Sequence, residues 1–123
     1  MPSTASLVAF VATTNAALAR RFYEGLLGLR LVTDDPFAIV FDANGTMLRI
    51  QKVDRIEPAA FTVLGWNVSD IEASVDELRA RGVAFNEYPG MQQDNRRIWR
   101  APSGARIAWF KDPDGNTLSL AQL

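Results

Sequence analysis

In the first half of the chain apolar positions pass from strand-like to helical spacing and back to three strand-like runs, and the same succession returns in the second half. "SLVAFVATTN" (6–15) is an apolar, β-branched run ending in a helix-capping residue, which predicts a strand leading into a helix. Over "AALARRFYEGLLG" (16–28), Leu18, Phe22 and Leu26 recur at four-residue spacing, predicting a helix capped by Asn15 and stopped by Gly28. "LRLV", "FAIVFDANG" and "TMLRIQKV" then read as three short strands, with "DDP" and "ANG" as turns. The second half opens with the strand "FTVLGWNVSD" (61–70) and the helix "IEASVDELRARG" (71–82), striped by Ile71, Val75 and Leu78 and stopped by Gly82. "VAFNEY", "RIWRAP", "ARIAWFKDPDG" and "NTLSLAQ" supply its further strands, interrupted by the polar loop "PGMQQDNR" (89–96).

The halves superpose as sequences. The caps Asn15 and Asp70 lie 55 positions apart, which sets Val8 against Val63. "DANG" (42–45) matches "DPDG" (112–115) 70 positions on, which sets Arg49 against Ser119. Two copies of half a chain make neither a solenoid nor a propeller. The predicted fold is α+β, a single domain of two βαβββ modules covering residues 1–55 and 56–123.

Composition narrows the chemistry. At 123 residues the chain suits one domain with a real core, and 48% hydrophobic with 22% charged residues is ordinary globular usage. No apolar run reaches the roughly 18 residues of a membrane span. "MPSTASLVAFVATTN" has no basic residue ahead of its apolar stretch, so a cytoplasmic protein is expected. There is no Cys and no His, which removes thiolate nucleophiles, zinc–thiolate sites and the commonest general base. A net charge of −1 with interspersed signs gives no footprint for nucleic acid.

Three stretches, "ARRFYEGLLGLRLV" (19–32), "VSDIEASVDELRARGV" (68–83) and "WFKDPDGNTLSL" (109–120), together with the internal repeat, resemble the vicinal oxygen chelate superfamily. That superfamily includes glyoxalase I, extradiol dioxygenases and bleomycin-resistance proteins. The resemblance covers essentially the whole chain. It implies paired modules whose sheets curl into a cup with the helices outside, and it favours a homodimer. Whether the modules pair within one chain or across two is left open. Metal-dependent members place His, Glu or Gln at four inward positions, which carry over to Val8, Arg49, Val63 and Ser119. Two valines cannot coordinate, a guanidinium repels a cation, and a lone hydroxyl holds hard metals poorly. No metal and no other cofactor is therefore expected.

Strand alternation would turn Val8, Phe10, Ala12, Met47, Arg49, Gln51, Val63, Gly65, Asn67, Thr117, Ser119 and Ala121 into the cup. Val11, Leu48, Ile50, Leu64, Trp66, Leu118 and Leu120 would pack under the helices. The inward set is apolar with a few polar groups, the composition of a small-molecule pocket. Arg49 suits a carboxylate, enolate or phosphate, or else pairs with an acidic neighbour or reaches the rim. Trp99 and Trp109 stack on a planar ligand or pack in the core, and alternation does not fix their facing. Glu87, Tyr88, Asp94 and Lys52 are titratable but read as solvated surface. The loop 89–96 reads equally as a lid, a surface loop or a subunit contact.

The expectation is a metal-free protein binding an anionic or planar aromatic small molecule, with Arg49, Ser119, Asn67, Gln51, Phe10, Val8, Val63, Trp99 and Trp109 around it. The alternatives are a metal-independent enzyme of the lyase or isomerase kind, and a regulatory or structural dimer with a filled cup.

Overall fold

Asn15 and Asp70 open their helices as their positions predict. Asn15 Oδ1 accepts the Leu18 N–H and Asp70 Oδ1 the Ala73 N–H, each at 3.1 Å. The structure is a computed structural model that describes all residues from Met1 to Leu123. It divides into two compact units, Met1–Glu57 and Pro58–Leu123.

In unit 1, β1 (Val8–Thr13) leads to α1 (Ala16–Arg20), then β2 (Arg30–Asp34), β3 (Ala38–Ala43) and β4 (Thr46–Lys52). The sheet order is β1-β4-β3-β2, with β1 parallel to β4 and the other pairs antiparallel. A parallel neighbour needs a long crossover, and here α1 and two further strands supply it. The β3–β4 hairpin turns on Asn44 (φ 50°) and Gly45 (φ 96°). Two successive positive φ values are what a two-residue type I′ loop demands, and Asn-Gly meets that demand. Asp42 Oδ1 secures the loop by accepting the Gly45 N–H at 2.9 Å.

The first helix departs from the expected regular one. Beyond Arg20 it widens into a π-helical segment (Arg21–Leu26), where the Leu27 N–H bonds the Phe22 carbonyl five residues back. It ends at Gly28 (φ 73°), past which the Leu29 N–H reaches the Tyr23 carbonyl. The buried stripe runs through Ala19, Phe22 and Tyr23, whereas Leu18, on the four-residue spacing with Phe22 and Leu26, is exposed. Tyr23 packs its ring on Phe41 of β3, 6.2 Å between centroids, so the helix covers the face carrying Val11, Leu48 and Ile50.

Unit 2 repeats the plan with β5 (Thr62–Asn67), α2 (Ile71–Ala80), β6 (Trp99–Arg100), β7 (Arg106–Lys111) and β8 (Thr117–Gln122) in the order β5-β8-β7-β6. Ile71 and Val75 of α2 are fully buried beside Ala108, Phe110 and Leu118. The expected strand over "VAFNEY" does not form; a single bridge joins Phe85 to Phe110. Likewise only two residues of "RIWRAP" pair with β7. The "DPDGN" turn is held by Asp112, whose Oδ1 accepts the Asp114 and Asn116 N–H groups at 3.0 and 2.9 Å. Asn116 Nδ2 donates to Asp112 Oδ2 at 2.8 Å. No helix is long and apolar enough to cross a membrane.

Candidate functional site

Residues opposite one another in a sheet send their side chains to the same face, so the ladders fix the facing that alternation only suggested. In unit 1, Val8 pairs with Met47, Phe10 with Arg49 and Ala12 with Gln51. Val8, Phe10, Arg49 and Gln51 therefore share the face turned away from α1. Phe10 stands 57% exposed there, Val8 and Gln51 are exposed, and Arg49 is half-buried. Lys52 binds Asp34 at 2.7 Å, and Arg20 and Arg30 also have carboxylate partners. The Arg49 side chain has neither an ion pair nor a hydrogen bond. The Asp35 carboxyl is held below the usual carboxylate range chiefly because it accepts the Phe37 and Ala38 N–H groups, with Arg49's charge a smaller cause.

In unit 2, Ser119 pairs with Gly65 on one side and Trp109 on the other. Arg49 occupies the same rung of its own sheet, between Phe10 and Val40, so the Arg49–Ser119 correspondence is present in the ladders. Val63 breaks the pattern. Thr62 pairs with Thr117 and Leu64 with Leu118, which leaves Val63 unpaired in a bulge rather than in the inward row. The bulge brings Thr62 onto the Trp109 side, where its Oγ1 accepts the indole N–H at 3.0 Å. Asn67 is occupied structurally, its Oδ1 accepting the Leu123 N–H at 3.3 Å.

The four positions that the resemblance assigns to metal ligands, Val8, Arg49, Val63 and Ser119, hold two aliphatic groups, a permanent cation and a neutral hydroxyl. Nowhere do three or more carboxylates converge. These residues do not fit a divalent cation. Space at Ser119 is also taken up: a Cβ on Gly65 would lie 2.5 Å from Ser119 Oγ. Gly65→Ala should therefore force Ser119 off its rotamer at a cost of about 1 kcal/mol, a cost absent when Ser119→Ala accompanies it. Denaturant midpoints of the four proteins in that cycle check it; additive changes would refute the contact.

Trp99, Ile107, Trp109, Ser119 and Gly65 share the face of the second sheet away from α2. Trp66 lies on the other face, stacked on Phe110 with ring centroids 6.5 Å apart. Trp99 and Trp109 thus belong to the open face, their rings 6.1 Å apart and inclined at 35°. Tyr88 meets Trp109 edge-on at 5.5 Å and 90°. Beside this wall an open groove of about 250 Å³ is lined by Phe61, Thr62, Tyr88, Met91 and Trp109. A second hollow of about 510 Å³ shares Ala60, Tyr88 and Thr117 with it and extends to Asn86, Glu87 and Lys111.

The loop 89–96 is fastened, not hinged. Gln93 Oε1 accepts the Tyr88 N–H at 2.6 Å, and its Nε2 donates to the Asn86 and Arg97 carbonyls. Arg96 grips both oxygens of Asp76 on α2 at 2.9 and 3.1 Å, and that guanidinium holds the Asp76 carboxyl below the usual range. The other titratable candidates have structural duties. Glu87 pairs with Arg97 at 3.3 Å, and Asp94 Oδ1 accepts the Arg96 and Ile98 N–H groups. Tyr88 alone among them forms part of the groove wall. Phe61, Thr62 and Lys111 were absent from the expected site. The hairpin register across "DPDGN" was the signal that could have found Lys111, since it sets Trp109 on Ser119 and Lys111 on Thr117.

Residues 6–120 match the family model of the Glyoxalase/Bleomycin resistance protein/Dioxygenase superfamily. No curated protein matches the chain. Among solved structures, a member of that superfamily from Sphaerobacter thermophilus DSM 20745 is 27% identical with a TM-score of 0.73, covering 98% of each chain. TnmS3, an antibiotic binding protein from Streptomyces sp. CB03234, is 24% identical with a TM-score of 0.72 over 99% of this chain and 98% of its own. A lactoylglutathione lyase from Agrobacterium tumefaciens, 15% identical, has a TM-score of 0.76 over 99% and 96%.

Proposed function

The chain belongs to the Glyoxalase/Bleomycin resistance protein/Dioxygenase superfamily, and from that premise we propose that it binds, without a metal, a small organic molecule through a planar aromatic part. The observation that carries this reading is the exposed-face wall of Trp99, Trp109 and Tyr88 beside a groove. Fixed aromatic side chains give a flat ligand large contact area with little entropy left to lose. Similar folds include a named lyase and a named antibiotic binder, so the fold alone chooses neither. The side chains favour binding. His and Cys are absent, and the carboxylates Glu87 and Asp94 are committed to Arg97 and to backbone N–H groups, respectively. The reading includes a homodimer, because β1 and β5 each end their sheets with an unpaired edge.

In unit 1, Arg49 is a half-buried guanidinium without a side-chain partner, which by itself suits a carboxylate, enolate or phosphate. Titration with a neutral naphthalene derivative tests the main reading. Tryptophan emission should change saturably and the melting temperature should rise with probe concentration. A library of planar aromatic compounds that moves neither signal would dispose of the proposal.

A further inference from the structure

Lys111 is two residues along β7 from Trp109, on the same face, with Cα atoms about 7 Å apart at strand spacing. It faces Thr117 across the ladder and lines the hollow that shares Ala60, Tyr88 and Thr117 with the aromatic groove. Its ammonium group is exposed and has no ion pair. The carboxylate that lines the same hollow, Glu87, is already bound to Arg97 at 3.3 Å. Asn86 Nδ2 donates to Tyr88 Oη at 2.9 Å, which leaves the phenol's own proton to be donated elsewhere. The groove is therefore apolar and aromatic, whereas the adjoining hollow offers an unpaired cation and, at the Tyr88 the two share, a phenolic donor, both seeking an acceptor.

Building on the proposed aromatic site, we infer that its ligand is an aromatic acid: the ring lies against Trp109 and an anionic group on that ring is held by Lys111 and Tyr88. The anion is read within unit 2, by a residue of the strand that carries the stacking tryptophan. Arg49 is not needed for it. A charge-assisted contact of this kind is expected to favour the acid over its neutral isostere by roughly tenfold.

The test compares 2-naphthoate with 2-naphthamide, matched in shape, by tryptophan quenching on the intact chain, its Lys111→Met and Arg49→Met variants. The wild type should prefer naphthoate, Lys111→Met should lose the preference while keeping its affinity for naphthamide, and Arg49→Met should keep both. Added salt should erode the preference in the wild type only at the expense of naphthoate. Equal binding of the two probes by the wild type overturns the inference while leaving the aromatic site standing. So does a preference that survives Lys111→Met or vanishes with Arg49→Met. Failure of both probes to bind removes the aromatic site itself, and this inference with it.

Discussion

Replacing Trp109 with alanine should weaken binding of a planar aromatic probe by about one to two orders of magnitude, the effect of losing one stacking surface worth roughly 1–3 kcal/mol. The ring is held from three sides: its N–H donates to Thr62 Oγ1, Tyr88 presents an edge, and Trp99 leans at 35°. A ligand therefore meets a surface already ordered, and the entropy of fixing that surface is lost on folding instead of on binding. Calorimetric titration is the suitable measurement, since the substitution also removes a fluorophore. Trp66→Phe supplies the contrast. That indole lies on the opposite face against Phe110, so its replacement should leave affinity unchanged. Equal weakening by both substitutions, or none by Trp109→Ala, would reject the wall as the binding surface.

Much of this arrangement could be read before any coordinates. The two caps, the stops at Gly28 and Gly82, the apolar stripe of α2 and the Arg49–Ser119 equivalence are local or periodic signals, and such signals survive folding. What escaped had non-local causes. Val63 was assigned inward by counting in twos, but a bulge removes one residue from the count and turns Thr62 to the face instead. Leu18 shares the four-residue spacing of Phe22 and Leu26, but the stripe that packs inward runs through Ala19, Phe22 and Tyr23 and leaves Leu18 exposed. "VAFNEY" has strand composition, yet its backbone partners are mostly side chains and turns: Gln93 bonds both the Tyr88 N–H and the Asn86 carbonyl. That substitution of a side chain for a neighbouring strand is also what places Tyr88 beside Trp109. The facing of Trp109 could have been obtained by pairing backward across "DPDGN", a step that alternation within one strand does not include.

The binding face depends on a core on its far side, and Phe110→Ala should reveal that dependence. Phe110 adjoins Trp109 in β7, points the other way and is wholly buried. It stacks on Trp66, meets Phe85 at 5.4 Å and lies opposite Leu118 in the ladder. Truncation removes the ring from a close-packed surround and should lower stability by about 3–5 kcal/mol, a large part of the 5–15 kcal/mol typical of a folded protein. Phe110→Leu should cost less, because most of the volume is refilled. Phe61→Ala, at a side chain 70% exposed, should shift stability by no more than about 0.5 kcal/mol even though it lines the groove. Denaturant midpoints measure all three. A ligand effect should follow from Phe110 as well, because its ring packs on Phe85, at the start of the segment that carries Tyr88. If Phe110→Ala cost under about 1 kcal/mol, the ring would be shown not to hold that segment, whose remaining ties are the Asn86 N–H on the Trp109 carbonyl and the Gln93 side chain.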